Sequence, residues 1–470
     1  MTYSSPLVTV YITNYNYGKY IRAAIDSVLN QTLESFELII IDDGSTDESK
    51  SIIEEYESNP KITVIYQKNK GLNVSNNVAM RVARGKYIIR LDADDWFHES
   101  ALDKLSSQLE SDNNVGLVFP DYYLVDESGS IYSEIKRHDF SNEVTLYDQP
   151  AHGACTMIRL TFLMAVGGYD ESFSCQDGYD LWIKFVTQFK VINVNEALFY
   201  YRQHGSNLTK NESRLLETRM AMKKKFLDIK NVNNLESLAI IPVRKLSLSQ
   251  LPFETLEDKT ILEIKIETAL QAELIKCVVI TSSDHEVLNF VTNKYVSNKR
   301  VICIERPEAY ERHNSALTDT IDLVFKELRG KYTGYNNIDS FILLSIEYPF
   351  LQSKMIDSTI RTAYIFGSDS VITVRADSST HYCHTGSSMR SIHSEALTKY
   401  ERDDLYEAKG GLTFSTLDIL QKEKKLPAGK VGHIIVDQVS GMQISTAVDL
   451  NLAKHIYENM DIYYNSTIKL

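Results

Sequence analysis

The sequence predicts an α/β protein built from two consecutive doubly wound, mostly parallel-sheet domains. In the first half, short apolar runs alternate with amphipathic helical segments, and the same alternation restarts near residue 238. At 470 residues the chain is also too long for one ordinary core, because domains average roughly 150 residues. We therefore expect two globular domains.

The order of elements in the first half is βαβαβαβ. The first strand leads through a polar loop into a helix whose apolar residues, Ile21, Ile25 and Val28, recur at steps of three and four. The second strand is almost wholly apolar, as is typical of a strand buried on both faces. The predicted strands are 7–12, 36–41, 62–66 and 87–91, with helices following the first three.

Polar residues follow three of these strands: Thr13 to Tyr15, Asp42 with Asp43, and Asp92 to Asp95. Because the carboxyl ends of parallel strands share one edge of a sheet, the three clusters should converge. Three carboxylates within four residues repel one another unless a cation or a hydrogen-bond donor lies among them. The last cluster therefore predicts a metal and nucleotide site, although such aspartates also form turns and helix N-caps.

An ordered set of motifs resembles the family 2 glycosyltransferases with the GT-A fold, over about residues 6–210. The motifs are Val-x-Val-x-Ile-Thr-x-Tyr-Asn from Val8, Asp-Asp-Gly-Ser-Thr-Asp from Asp42, Asp-Ala-Asp-Asp from Asp92, Gly-Gly-Tyr-Asp-Glu from Gly167, Asp-Gly-Tyr-Asp-Leu-Trp from Asp177, and Tyr-Tyr-Arg-Gln-His from Tyr200. Each motif is short, but their order makes the set specific.

The resemblance implies a donor site for a nucleotide sugar. Thr13 and Tyr15 would grip the base, and Asp43 would accept its ring N–H, which favours uracil. Asp92 would lie near the ribose, with Asp95 as its neighbour. Asp94 would reach a divalent ion, Mn²⁺ or Mg²⁺, between the donor phosphates.

His204 lies where several family members place a further metal ligand, and an imidazole suits Mn²⁺ better than Mg²⁺. Contact with a phosphate beside Arg202, or a plain surface position, are the alternatives for this histidine.

Asp177 matches the family's general base, which would take the proton of the acceptor hydroxyl and produce inversion at the anomeric carbon. The family usually has Glu just before this Asp, whereas this chain has Gln176. The alternative is that Asp177 caps the amphipathic helix that follows it. Asp180, one turn further on, is expected to be structural.

The domain division is predicted at 1–210, a helical linker at 211–235 with a solvated lysine run, and 236–470. The last part resembles the cytidylyltransferases that activate acidic sugars such as sialic acid, through Ile241-Pro242-Val243-Arg244, Arg306-Pro307-Glu308 and the closing Val448-Asp449-Leu450. That resemblance implies a nucleotidyltransferase-like, Rossmann-type domain.

Two departures predict that this second domain is catalytically degenerate. Residues 245–254 contain no glycine to cradle a triphosphate and have Phe253-Glu254 where Gly-Lys is usual. Gln443-Ile444-Ser445 replaces the metal-binding Asp-Ile-Asp, with Lys245 and Asp437 left as conceivable substitutes. We expect the domain to stabilise, dimerise or position the first, or to sense a nucleotide sugar.

The resulting hypothesis is a metal-dependent, inverting glycosyltransferase of hexosyltransferase type. It would move a sugar from a UDP-sugar to a glycan or lipid-linked acceptor in surface polysaccharide or glycoconjugate synthesis. A bifunctional glycosyltransferase and CMP-sugar synthetase is the first alternative. A non-catalytic nucleotide-binding or glycan-binding scaffold is the second.

Charge and hydropathy limit the partners and the location. The net charge of -13 argues against general affinity for nucleic acid. No apolar run reaches the ~18 residues of a membrane span, and the first residues lack the pattern of a signal peptide. Five scattered cysteines are typical of reduced thiols. We expect a cytoplasmic protein, free or peripheral to the inner face of the membrane.

Overall fold

The computed structural model describes residues 5–136, 138–140, 148–204, 212–232, 235–244, 250–311, 317–332, 334–377, 379, 381–384, 386–391 and 405–460. The chain divides into two compact units, with the boundary between residues 210 and 211. Lys245, named above as a substitute for the missing lysine of the second domain, lies outside the described residues.

The first unit consists of one large sheet with helices packed against it. Its strands are β1 Val8–Asn14, β2 Phe36–Asp42, β3 Ile62–Tyr66, β4 Tyr87–Asp92, β5 Trp96–Phe97, β6 Val115–Val125, β7 Ile131–Ile135, β8 Met157–Arg159 and β9 Lys190–Arg202. Its helices are α1 Gly18–Leu29, α2 Ser49–Glu54, α3 Leu72–Val82, α4 Ala101–Ser111, α5 Leu160–Ala165 and α6 Asp177–Val186.

The strands of this sheet run in the order β3-β2-β1-β4-β8-β6-β9-β5, with β7 paired to β6. Strands β3, β2, β1 and β4 are all parallel, whereas β8 runs antiparallel to both β4 and β6. The parallel half therefore places four carboxyl ends at one edge. The register there pairs Thr13 with Asp92 and Asn14 with Asp42.

Burial explains why the first half forms these elements. Every residue of β2 is buried, in agreement with its continuous apolar pattern. On α1, the predicted face of Ile21, Ile25 and Val28 is fully buried against the sheet. The predicted α/β class and the four predicted strands are confirmed.

The second unit also has an α/β architecture. Its strands are β10 Ser237–Pro242, β11 Thr255–Leu256, β12 Lys259–Thr260, β13 Ile275–Ser282, β14 Val301–Glu305, β15 Ser340–Leu344, β16 Ser370–Asp377, β17 Tyr382–His384, β18 Met389–Ser391, β19 Leu405–Thr416 and β20 Val431–Ile435. Its helices are α7 Glu212–Ile229, α8 Ile261–Gln271, α9 His285–Lys294, α10 Leu317–Lys331, α11 Ser353–Phe366, α12 Leu417–Glu423 and α13 Ala447–Glu458.

Seven of these strands form the second main sheet, in the order β14-β13-β10-β15-β19-β16-β20. Strand β19 is antiparallel to both of its neighbours, and the other pairs are parallel. The sheet is therefore mostly parallel, as predicted, with one reversed strand near its middle.

The helix assigned by sequence to a linker is packed within the second unit. In α7, Lys223 is only 2% exposed, and its Nζ donates to Thr362 Oγ1 of α11 at 2.7 Å. The prediction of a solvated lysine run is wrong for Lys223. A hydroxyl acceptor on the neighbouring helix allows the ammonium group to be buried there.

Candidate active site

The aspartate cluster lies at the carboxyl end of β4, where the sequence predicts a metal and nucleotide site. Asp94 Oδ2 is 2.8 Å from His204 Nε2, just beyond the end of β9. Both side chains are largely buried, so His204 is not a plain surface residue. The fold therefore brings the two predicted metal ligands into direct contact.

Arg202 fixes the turn that carries these aspartates. Its backbone N–H donates to Asp95 Oδ1 at 2.8 Å, and its Nε donates to the carbonyl of Asp94 at 2.9 Å. The guanidinium group lies between the rings of Tyr20 and Trp96, with its carbon 4.8 and 4.7 Å from their centroids. Arg202 thus joins the aspartate turn to the rings of Tyr20 and Trp96.

Electrostatics around the cluster favour a cation. Burial raises the pKa of Asp92 to about 6, helped by the charges of Asp94 and Asp177 and opposed by Arg90. Burial, followed by the charges of Asp94 and Asp92, also raises the pKa of Asp95. The Oδ2 atom of Asp95 is buried and has no hydrogen-bond partner among the described residues.

A divalent cation fits this environment, because it would offset the repulsion between carboxylates. Asp94 and His204 would supply an oxygen and a nitrogen ligand. No group of three or more His, Cys, Asp or Glu in the described part of the chain forms a complete metal-binding set. The remaining ligands would come from the donor phosphates and water, as is usual for Mg²⁺ and nucleotides.

Two tyrosines that the sequence argument did not single out enclose His204. The ring of Tyr20 is stacked on the imidazole with centroids 5.6 Å apart, and Tyr17 meets it edge-on at 5.7 Å. Burial, followed by the charges of Asp94, Asp92 and Asp95, raises the pKa of Tyr17. Tyr17 therefore stays neutral beside the aspartates. The position of Tyr17 in the loop after β1, close to the predicted site, was the signal available in the sequence.

The predicted base-binding residues lie at the neighbouring strand ends. Thr13 is paired with Asp92 across β1 and β4, and Tyr15 is 46% exposed in the loop that follows. Asp43 accepts from Gln67 Nε2 and from the backbone N–H groups of Lys70 and Gly71, at 2.7 to 2.9 Å. Its carboxylate therefore also anchors the loop before α3.

Asp177 is the first residue of α6 and does not cap it. The N-cap position is Gln176, in a left-handed conformation with φ of 62° and no side-chain cap. The Asp177 carboxylate instead accepts from Nη1 of Arg90, on β4. Nε of Arg90 lies 3.0 Å from Asp92 Oδ1.

Arg90 was not among the predicted site residues, although the sequence contained a signal for it. It is the one charged residue within the apolar run from Tyr87 to Leu91, and a charge inside a buried strand requires a partner. Asp180, in contrast, pairs with Lys184 on the same helix at 2.6 Å. That contact agrees with the structural role predicted for Asp180.

The family described as glycosyl transferase family 2 matches residues 9–166. An uncharacterized glycosyltransferase of Rickettsia prowazekii is 32% identical over 221 residues, covering 45% of this chain and 69% of that protein. One from Methanocaldococcus jannaschii is 32% identical over 212 residues, covering 42% of this chain and 71% of that protein. This protein is a glycosyltransferase. The chain belongs to glycosyltransferase family 2.

Larger relatives are matched over a smaller share of their length. Escherichia coli chondroitin synthase is 31% identical over 203 residues, which are 43% of this chain and 30% of that enzyme. The mannosyltransferase of Pyrobaculum calidifontis, solved with GDP-Man and Mn²⁺, has a TM-score of 0.39 and 20% identity. It is covered to 65%, and this chain to 48%. No described helix is long and apolar enough to cross a membrane.

Proposed function

We propose that this glycosyltransferase moves a sugar from a UDP-sugar to a hydroxyl of a glycan or lipid-linked acceptor, with inversion and with a divalent metal. The proposal rests on two pairs of contacting side chains near one edge of the sheet. Asp94 contacts His204, and Arg90 contacts Asp177. The first pair suits the donor diphosphate. The second includes a carboxylate for the acceptor.

The charge of the leaving group supports the proposed donor site. A diphosphate leaving group develops negative charge, and a metal held by Asp94 and His204 would neutralise part of it. Thr13 and Asp92 lie side by side at the strand ends, with Tyr15 exposed for stacking on a base. Asp95 is held by the Arg202 backbone and supports the same turn.

The proposed acceptor reaction depends on the carboxylate of Asp177. An ionised carboxylate can take the proton from a hydroxyl as that oxygen attacks the anomeric carbon. Attack opposite the leaving diphosphate inverts the configuration. The chondroitin and hyaluronan synthases among the relatives favour a role in polysaccharide synthesis.

The first test is nucleotide release by the full chain from UDP-, GDP- and CMP-sugars, with Mn²⁺, with Mg²⁺ or with EDTA. We expect turnover with a UDP-sugar, stimulated by metal and abolished by EDTA, because the diphosphate needs charge neutralisation. NMR of the product should show an inverted anomeric centre. Turnover that EDTA does not change would contradict the proposed metal dependence. Turnover with only GDP- or CMP-sugars would contradict the proposed UDP-sugar donor.

We also propose that the second unit does not transfer cytidylyl groups. Gln443, where the resembling family has an aspartate, donates from Nε2 to Glu347 Oε2 at 2.8 Å. The backbone N–H of Ile444 donates to the Glu347 carbonyl at 2.8 Å. The Gln443 amide thus fills a hydrogen-bonding position of the Glu347 carboxylate without a metal ion. Dimerisation through this unit stays a prediction.

Incubation of the full chain with CTP, Mg²⁺ and acidic sugars such as sialic acid tests this second proposal. We expect no pyrophosphate release above a boiled-protein control, because no carboxylate pair is available at Gln443 for the metal. Release that depends on both CTP and the sugar would support the bifunctional alternative instead.

A further inference from the structure

Arg90 connects the two halves of the candidate active site. It is 5% exposed, and its guanidinium group contacts two carboxylates from distant parts of the sequence. Nε lies 3.0 Å from Asp92 Oδ1, an ion pair without hydrogen-bond geometry, and Nη1 donates to Asp177 Oδ2. One rigid, planar group therefore spans from the donor-side aspartate to the acceptor-side carboxylate.

The surrounding backbone leaves this guanidinium little room. A Cβ atom added at Gly153 would lie only 2.6 Å from Arg90 Nη2 and 3.6 Å from Asp177 Oδ2. The loop before β8 is itself tied to β4, because the Cys155 N–H donates to the Arg90 carbonyl at 2.9 Å. The close approach of Gly153 therefore limits movement of the guanidinium group on the Nη2 side.

A second donor approaches the same oxygen of Asp177 from α3. Asn76 Nδ2 lies 3.4 Å from Asp177 Oδ2, and a carboxylate can only accept there, which orients the amide. Its neighbours Asn73 and Asn77 donate to backbone carbonyls at Tyr169, Asp170 and Phe173. Helix α3 thus holds both the carboxylate and part of the segment that precedes it.

We propose that Arg90 is the positioning residue of the transfer step, holding Asp177 at one angle and at a fixed distance from the donor-side Asp92. This rests on the proposed function, in which Asp177 is the general base. A base works only at hydrogen-bond distance from its proton, so a displaced carboxylate loses rate even with the donor bound normally. A lysine at this position would keep the positive charge but lose the planar set of N–H donors of the guanidinium group.

The test measures kcat and donor KM for full-length Arg90→Lys, Asp177→Asn and the double variant, by nucleotide release from the UDP-sugar that the wild type uses. We expect Arg90→Lys to lower kcat about 100-fold with donor KM changed less than about threefold. In the Asp177→Asn background the same substitution should cause no further loss, because Arg90 acts through that carboxylate.

Gly153→Ala provides a second route if Arg90→Lys fails to fold. The added methyl group would push on Nη2 without removing any charge, and we expect about a tenfold loss of kcat, again only when Asp177 is present. Arg159→Lys is the matched control. Arg159 is a buried arginine whose bonds go to the backbone carbonyls of Leu109, Asp112 and Val115.

The outcomes separate the two proposals. Equal kcat loss in Arg159→Lys, or an undiminished effect of Arg90→Lys in the Asp177→Asn background, would overturn the positioning role while leaving the glycosyltransfer intact. Absence of turnover by the wild type with every donor would overturn the proposed function, and the positioning role with it.

Discussion

The Asp177→Asn variant is expected to lose sugar transfer by about 10²- to 10⁴-fold, the usual contribution of a general base. The amide cannot take the proton of the acceptor hydroxyl, although it keeps the shape of the carboxylate. Donor binding should survive, because Asp94, His204 and Thr13 are unchanged. Nucleotide release with acceptor, and UDP binding by calorimetry, measure the two properties separately.

Asp180→Asn is the matched control for this variant. Asp180 lies one turn further along α6 and pairs with Lys184 rather than with Arg90. We expect activity close to that of the wild type and a similar circular dichroism spectrum. Transfer retained by Asp177→Asn would rule out Asp177 as the base.

The Asp94→Asn variant is expected to lose about 1,000-fold in turnover, since metal stabilisation of a leaving diphosphate is worth several kcal/mol and each 1.4 kcal/mol is about tenfold. An amide is a weaker ligand for a hard cation than a carboxylate. UDP binding measured by calorimetry should also lose its dependence on Mn²⁺, whereas in the wild type Mn²⁺ should strengthen it.

Asp103→Asn, at an exposed position in the first turn of α4, controls for loss of one surface charge and should behave as the wild type. Mn²⁺-dependent UDP binding that persists in Asp94→Asn would exclude Asp94 as the ligand.

The His204→Gln variant should keep more of its activity with Mg²⁺ than with Mn²⁺, because the lost imidazole matters more to the softer ion.

Much of the first unit follows from local pattern. The continuous apolar run of β2 predicts a strand buried on both faces, and the spacing of Ile21, Ile25 and Val28 predicts the buried face of α1. Parallel strands in a doubly wound sheet then require their polar ends to meet. For that reason the neighbourhood of Thr13 and Asp92 was predictable without coordinates.

Side-chain partners were less predictable, because they come from segments distant in sequence. Asp177 was also suited by sequence to cap α6, whereas the structure has Gln176 at the N-cap and the Asp177 carboxylate bonded to Arg90. Asp43 carries hydrogen bonds to Gln67 and to the loop at Lys70 and Gly71 that no local pattern indicates. The lysine at 223 is buried because α11 presents a hydroxyl to it.

The sequence by itself determined the α/β class and the sheet edge at which Thr13, Asp42 and the crowded aspartates from Asp92 to Asp95 meet. These follow from periodicity along the chain and from repulsion between adjacent carboxylates. Only the tertiary structure decided that His204 contacts Asp94 and that Arg90 joins Asp92 to Asp177. Pairing of charges in a buried site depends on distances of a few ångströms between separate strands, which a one-dimensional pattern does not contain.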